Sequence, residues 1–191
     1  MTDGSNGYEN IAEAFIRARR HYIGPTVVRR WANGLRAGAS ILDLGCGSGV
    51  PISEALLQGG FTIYGVDASA TLIAKFRERF PDVPLECSPV EESLFFSRSF
   101  DAAVAWGLMF LLPVDTQRSL IGKVARALNP HGHFLFTAPR EAGTWPDGMT
   151  GLPSYSLGHE AYEQELVAHG LRLVGNDVDE GDNHYYFTAK R

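Results

Sequence analysis

The spacing of apolar residues changes along this chain, and each change marks an element. From Tyr8 the period is helical, with Tyr8, Ile11, Ala12, Phe15, Ile16 and Arg19 on one face. A second helix is expected over 25–33, with Val27, Val28 and Trp31 inward and Gly34 near its stop. Then the pattern becomes a short apolar run. Ile41, Leu42 and Leu44, broken only by Asp43, suit a strand buried on both faces. Gly45, Gly47 and Gly49 follow at every second position, which suits a tight turn where backbone approaches a ligand. Pro51 and the Gly59-Gly60 pair bracket the next helix. A second strand runs from Phe61 through Val66 and closes on Asp67. Ser69 is placed to cap a helix that carries Leu72, Ile73 and Phe76 and stops before Pro81.

Further along, strands are expected over 84–87, 101–106 and 134–137, with a helix over 115–128 and a turn over 129–132 before the last of these. Strand and helix signals alternate, which predicts an α/β fold with a parallel sheet. The stretch 139–157 breaks the pattern: it is rich in Gly, Pro, Ser and Thr, and is read as a long loop. It leaves the carboxyl end of the fifth strand, where ligands bind in open α/β sheets, so it is the expected lid over a substrate. A helix over 159–169, a strand over 171–175, a turn at Gly181-Asp182-Asn183 and a final strand over 184–189 complete the chain. Residues 1–7 are expected to be a disordered start. The whole, 1–191, reads as one domain with a helical cap over 1–36.

The glycine turn and Asp67 together suggest a nucleoside pocket. An acid roughly 20 residues past a glycine loop, at the end of the second strand, is placed to accept hydrogen bonds from ribose hydroxyls. A dinucleotide site wants a third glycine where this chain has Val50. Asp43 would also repel a pyrophosphate, but would favour a ligand carrying an ammonium group and no phosphate. S-adenosyl-L-methionine is such a ligand. A nicotinamide oxidoreductase is disfavoured on the same two residues.

The run Asp43–Gly49 (DLGCGSG), GVDAS at Gly65–Ser69, FDAAVAWGLMFLL at Phe100–Leu112 and ALNPHGHFLFTAP at Ala127–Pro139 resemble the class I S-adenosylmethionine-dependent methyltransferases, in that family's order and spacing. The resemblance implies a Rossmann-like, seven-stranded, mostly parallel sheet with helices on both faces and an antiparallel last strand. It implies a cofactor site built from Asp43, Gly45, Cys46, Gly47, Gly49, Asp67, Ala68, Val90, Glu91, Trp106 and Gly107. Relatives usually carry an acid that reads the adenine amino group, and here Pro89 falls at or near that position. Glu91 then substitutes, with a backbone group of Val90 sharing the reading, or Glu91 is a solvated loop acid. Trp106 either stacks on the adenine or borders the methyl acceptor, or it belongs to the core. Relatives' N-terminal helices often cover the cofactor, which makes Tyr8 and Phe15 lid residues.

Composition narrows the picture further. Net charge −5 argues against a protein that grips nucleic-acid phosphates. Arg17, Arg19, Arg20, Arg29 and Arg30 are accordingly read as solvated helical faces rather than an anion patch. Two cysteines form no disulfide framework, and a reduced cytoplasm is the expected setting. Neither a signal peptide nor a membrane span is seen. The His131–His133 pair is read as structural, and no metal is expected.

Methyl transfer is an in-line displacement that needs alignment and exclusion of water, and a base only when the acceptor must lose a proton. Tyr155, His159, His184 and Tyr185 are the residues of suitable chemistry in the C-terminal third; each is otherwise a packed or exposed side chain. The expected activity is methyl transfer from S-adenosyl-L-methionine to a small molecule. The alternative is a catalytically silent module that binds the cofactor and acts through a protein partner.

Overall fold

The computed structural model describes residues 4–191. Its main sheet is built from β1 (Ser40–Leu44), β2 (Thr62–Asp67), β3 (Leu85–Cys87), β4 (Phe100–Ala105) and β5 (Leu128–Thr137). A small ribbon follows, β6 (Gly143–Pro146) with β7 (Pro153–Ser156), and the main sheet is completed by β8 (Leu171–Val178) and β9 (His184–Lys190). The strand order is β3-β2-β1-β4-β5-β9-β8. β1 pairs in parallel with β2 on one side and β4 on the other, with Ile41 opposite Ile63 and Asp43 opposite Val104. β9 runs antiparallel to both β5 and β8. The seven strands and the reversed last strand are those the sequence led us to expect.

The helices are α1 (Ala12–Ala18), α2 (Pro25–Ala32), α3 (Ile52–Gln58), α4 (Ala70–Arg79), α5 (Val114–Ala127) and α6 (His159–Ala168). β1 is buried at every position because both faces are covered. On one face Ile41 packs with Val27 and Val28 of α2 and with Ile52 and Leu56 of α3. On the other, Leu42 and Leu44 join Leu120, Ile121 and Val124 of α5 and Tyr162 and Leu166 of α6. Burying each such aliphatic side chain stabilises the fold by roughly 1.5–3 kcal/mol. Near the glycine loop, Ile73 and Phe76 of α4 close over Cys46.

Several elements differ from expectation. Residues 4–11 form successive hydrogen-bonded turns rather than a helix or a disordered start; residues 1–3 of that expected start lie outside the described chain. β5 begins at Leu128, absorbing the turn expected over 129–132, with His131 at φ 62° and a register shift against β4. The stretch 139–157 is no irregular loop but holds the β6–β7 hairpin. Its turn is held by the Asp147 carboxylate, which accepts from Met149 N, Thr150 N and Thr150 Oγ1 at 2.7–3.0 Å. Pro146-Asp147-Gly148 is a turn signal that the surrounding glycines obscured. Among the described residues, no helix is long and apolar enough to cross a membrane.

Candidate functional site

Gly45, Gly47 and Gly49 have φ of +68°, +55° and +82°, a region that side-chain-bearing residues avoid. Two of them are also crowded. A Cβ on Gly45 would lie 3.1 Å from Leu108, and one on Gly49 would lie 3.0 Å from the Phe76 ring. Gly47 faces open space, with Phe15 the nearest group at 3.9 Å. The loop is strapped to β2: Gly45 N and Cys46 N both donate to Val66 O. Asp67 then ties the two together, its carboxylate accepting from Gly47 N and Ser69 N at 2.8 Å each. Burial raises the Asp67 pKa, and those two backbone bonds pull it back toward the charged form. A carboxylate has about four acceptor positions, so two bonds leave capacity for a ligand's hydroxyls.

These groups border one cleft. Gly45, Cys46 and Gly47 come to it from the loop, and Asp67 and Ala68 from the end of β2. Val90 and Glu91 follow from the segment after β3, with Trp106 and Gly107 from the end of β4. Glu91 is therefore at the cleft, and its side chain is exposed there, which fits both an adenine contact and a solvated loop acid. Two expected contacts are set back. Gly49 lies under Phe76, and Asp43 is 2% exposed with its carboxylate accepting from Ser53 Oγ at 2.5 Å. Burial pushes the Asp43 carboxyl up to about 7, with Asp67 adding to the rise and Ser53 and Arg19 opposing it.

The N-terminal segment forms the roof. Tyr8 and Phe15 line the cleft, and the Tyr8 hydroxyl donates to the Asp147 carboxylate in the hairpin at 3.3 Å. The neighbouring Glu9 carboxylate accepts from Ser69 Oγ, from Thr71 N at 3.1 Å and from Thr71 Oγ1 at 2.8 Å. Arg17, Arg20, Arg29 and Arg30 are exposed, as expected of solvated faces. Arg19 is a correction: it lines the cleft, 4.4 Å from the Trp106 ring centroid and 4.9 Å from that of Phe15. Its Nε is buried with no partner among the described residues. Burial lowers its pKa to about 10, so it stays charged at neutral pH. The signal was its place on the same helical face as Phe15, which the count of arginines outweighed.

Trp106 belongs both to the core and to the cleft floor. Its indole N–H donates to the Tyr185 hydroxyl at 2.5 Å, and that hydroxyl donates to Asp179 at 2.6 Å. Tyr185 is thus a fully buried support behind the floor. Tyr155 is half-buried on β7 and does not line the cleft. His159 opens α6, stacks on Tyr186 at 5.6 Å and borders an outer groove with Arg140. His184 lines that groove and also a side chamber with Thr137, Glu141, Trp145 and Asp182. Phe110 and Asn183 line both this chamber and the main cleft, so the two cavities adjoin at these residues. Among the described residues no group of three or more His, Cys, Asp or Glu could hold a metal.

Residues 41–132 match the family model described as a methyltransferase domain. Over that stretch the chain is similar to methyltransferase domains. The matched stretch runs from β1 to the start of β5, and so holds the glycine loop, Asp67, the Val90–Glu91 segment and Trp106. Solved structures share the fold. An amino pentose methyltransferase from Micromonospora echinaspora, with bound S-adenosylmethionine, superposes with a TM-score of 0.73 at 16% identity, over 95% of this chain and 97% of that one. A Burkholderia thailandensis 1,6-didemethyltoxoflavin N1-methyltransferase gives 0.74 at 17% identity, over 97% and 87%. Magnesium protoporphyrin IX methyltransferase from Synechocystis PCC 6803 gives 0.69 at 13%, over 97% and 80%. No curated protein matches the sequence.

Proposed function

We propose that this protein transfers a methyl group from S-adenosyl-L-methionine to a small-molecule acceptor held in the side chamber. The observation that carries the reading is the Asp67 carboxylate, locked by Gly47 N and Ser69 N at the edge of the cleft with acceptor capacity to spare. The residues present fit the cofactor. Gly47 offers a cradle that a side chain would fill, and Asp67 suits two ribose hydroxyls. Arg19 lines the cleft with a guanidinium that stays charged, for which the carboxylate of the amino acid end is the natural complement. Asp43, one layer deeper and with its carboxyl raised to about 7, is only partly ionised at neutral pH and adds at most part of a negative charge toward the ammonium group. The solved relatives from Micromonospora and Synechocystis contain S-adenosylmethionine, and the Burkholderia one S-adenosylhomocysteine, which supports the same ligand here.

The cofactor, when bound, supplies a methyl group activated by its sulfonium. The protein's part is alignment and dryness. Tyr8 covers the cleft, and the β6–β7 hairpin backs it through the Tyr8–Asp147 bond and lines the side chamber with Trp145. Phe110 and Trp145, with ring centroids 6.3 Å apart, give the chamber an apolar wall. Its ionisable lining is Glu141, Asp182 and His184, with no lysine or arginine, so a neutral or cationic acceptor suits it better than an anion. His184 is the group placed to take a proton from an acceptor that must lose one. The Micromonospora relative is an amino pentose methyltransferase and the Burkholderia one a 1,6-didemethyltoxoflavin N1-methyltransferase, which supports a small-molecule acceptor here.

The test uses a methyl-labelled donor and fractionated metabolites. Label should move to a small molecule with the intact protein. A variant lacking residues 144–150 should keep its affinity for S-adenosylhomocysteine and lose transfer. Binding without transfer to any fraction would favour the silent-module alternative, and unchanged transfer in the shortened variant would remove the lid from the account.

A further inference from the structure

The loop after β3 has an unusual distribution of backbone hydrogen bonds. Lys123, on α5, donates to Val90 O at 2.8 Å and to Glu91 O at 2.9 Å. The same ammonium lies 4.5 Å from the centroid of the buried Phe95 ring, which holds its stem in place. Both carbonyls of the segment that borders the cleft are therefore turned toward α5. The Val90 and Glu91 N–H groups, by contrast, donate to no acceptor among the described residues. Val90 is only 4% exposed, so its unused donor has little access to bulk water and is left for a ligand.

We propose that Lys123 is a positioning residue that fixes this loop with its donors toward the cleft, and so makes the site select adenine over a 6-oxopurine. The proposal rests on the adenosine-type cofactor reading. An adenine presents an acceptor, N1, beside a donor, its 6-amino group. A 6-oxopurine presents the reverse, N1–H beside a carbonyl. A backbone edge stripped of free carbonyls pairs with the first and opposes the second, and the Glu91 carboxylate at the cleft discriminates in the same sense. Without Lys123 the carbonyls of Val90 and Glu91 are free to turn inward, and a peptide flip would offer an acceptor where the intact protein offers a donor. The partly buried ammonium has its pKa lowered by burial, while Glu86 and Glu91 raise it and help to keep it charged.

The experiment compares calorimetric affinities for S-adenosylhomocysteine and S-inosylhomocysteine in the intact protein, in Lys123→Met and in Lys123→Arg. The methionine keeps the apolar stem over Phe95 and removes the donors; Lys123→Gln, which retains donors, serves if Lys123→Met does not fold. The intact protein should prefer the adenine compound by roughly tenfold or more, one mismatched hydrogen-bond edge. That ratio should fall toward one in Lys123→Met, fall part-way in Lys123→Gln and persist in Lys123→Arg. Equal weakening of both ligands, or no change in either, would overturn the role of Lys123 and leave the cofactor reading standing. If the intact protein binds neither compound, the adenosine reading falls and this proposal with it.

Discussion

Replacing Tyr185 by phenylalanine separates support from chemistry at the floor of the cleft. The ring is 1% exposed, and its hydroxyl bridges the Trp106 indole and the Asp179 carboxylate at 2.5 and 2.6 Å. Phenylalanine fills the same space without a cavity, so the cost is confined to hydrogen bonds. A buried indole N–H left unpaired costs about 1–3 kcal/mol, and a bond to a charged carboxylate is worth about 1.5–3 kcal/mol. Asp179 keeps donors from Gly181 N, Asn183 N and Asn183 Nδ2, which places its share at the low end. The expected loss is about 2–4 kcal/mol. Urea denaturation followed by fluorescence should show a lower midpoint with an unchanged slope. Affinity for S-adenosylhomocysteine should fall severalfold as Trp106 loses its anchor. A loss below about 0.5 kcal/mol, within the range of an inconsequential substitution, would refute the bridge. Unchanged stability with abolished methyl transfer would instead put the Tyr185 hydroxyl in contact with substrate.

Other outcomes follow from the same geometry. Gly49→Ala combines a left-handed φ with a 3.0 Å approach to Phe76 and should cost about 2–4 kcal/mol in urea denaturation. Gly60→Ala, at φ +80° with nothing within 4 Å, should cost only about 1–2 kcal/mol; equal losses would contradict the packing argument. The Asp43 carboxyl titrates near 7 when folded, against about 3.9 for an unperturbed aspartate. The folded state therefore holds the extra proton, and that stabilising contribution is full below pH ~4 and lost as pH rises through about 7. Asp43→Asn should accordingly gain stability relative to the intact protein between those limits in thermal melts, whereas a pH-independent difference would reject the assignment. Arg19→Met should weaken S-adenosylhomocysteine binding roughly tenfold or more while adenosine, which lacks the amino acid end, is unaffected; equal losses would remove Arg19 from that end of the site.

The nucleoside half of the site was legible because it is local. The glycine loop follows β1 and Asp67 closes β2, two strands adjacent in sequence, and a central parallel strand announces itself as an apolar run. The depth of Asp43 was not, since no local pattern tells a strand acid in a cleft from one lodged beneath it beside Ser53. The hairpin at 143–156 was hidden in a tract whose glycines read as breaks, although Asp147 alone organises its turn. Lys123 carried no signal: it lies 32 residues or more from the carbonyls it holds, on a helix whose other face supplied the visible pattern. Contacts of that kind arise only once α5 is laid against the sheet.

The central claim is an adenosine-type cofactor gripped by Asp67, and calorimetry of S-adenosylhomocysteine against the intact protein and Asp67→Ala tests it most directly. The intact protein should bind this product more tightly than NAD, and the variant, still folded by its melting curve, should bind it about 1.5–3 kcal/mol more weakly. Unchanged affinity in folded Asp67→Ala, or tighter binding of NAD by the intact protein, would contradict the account.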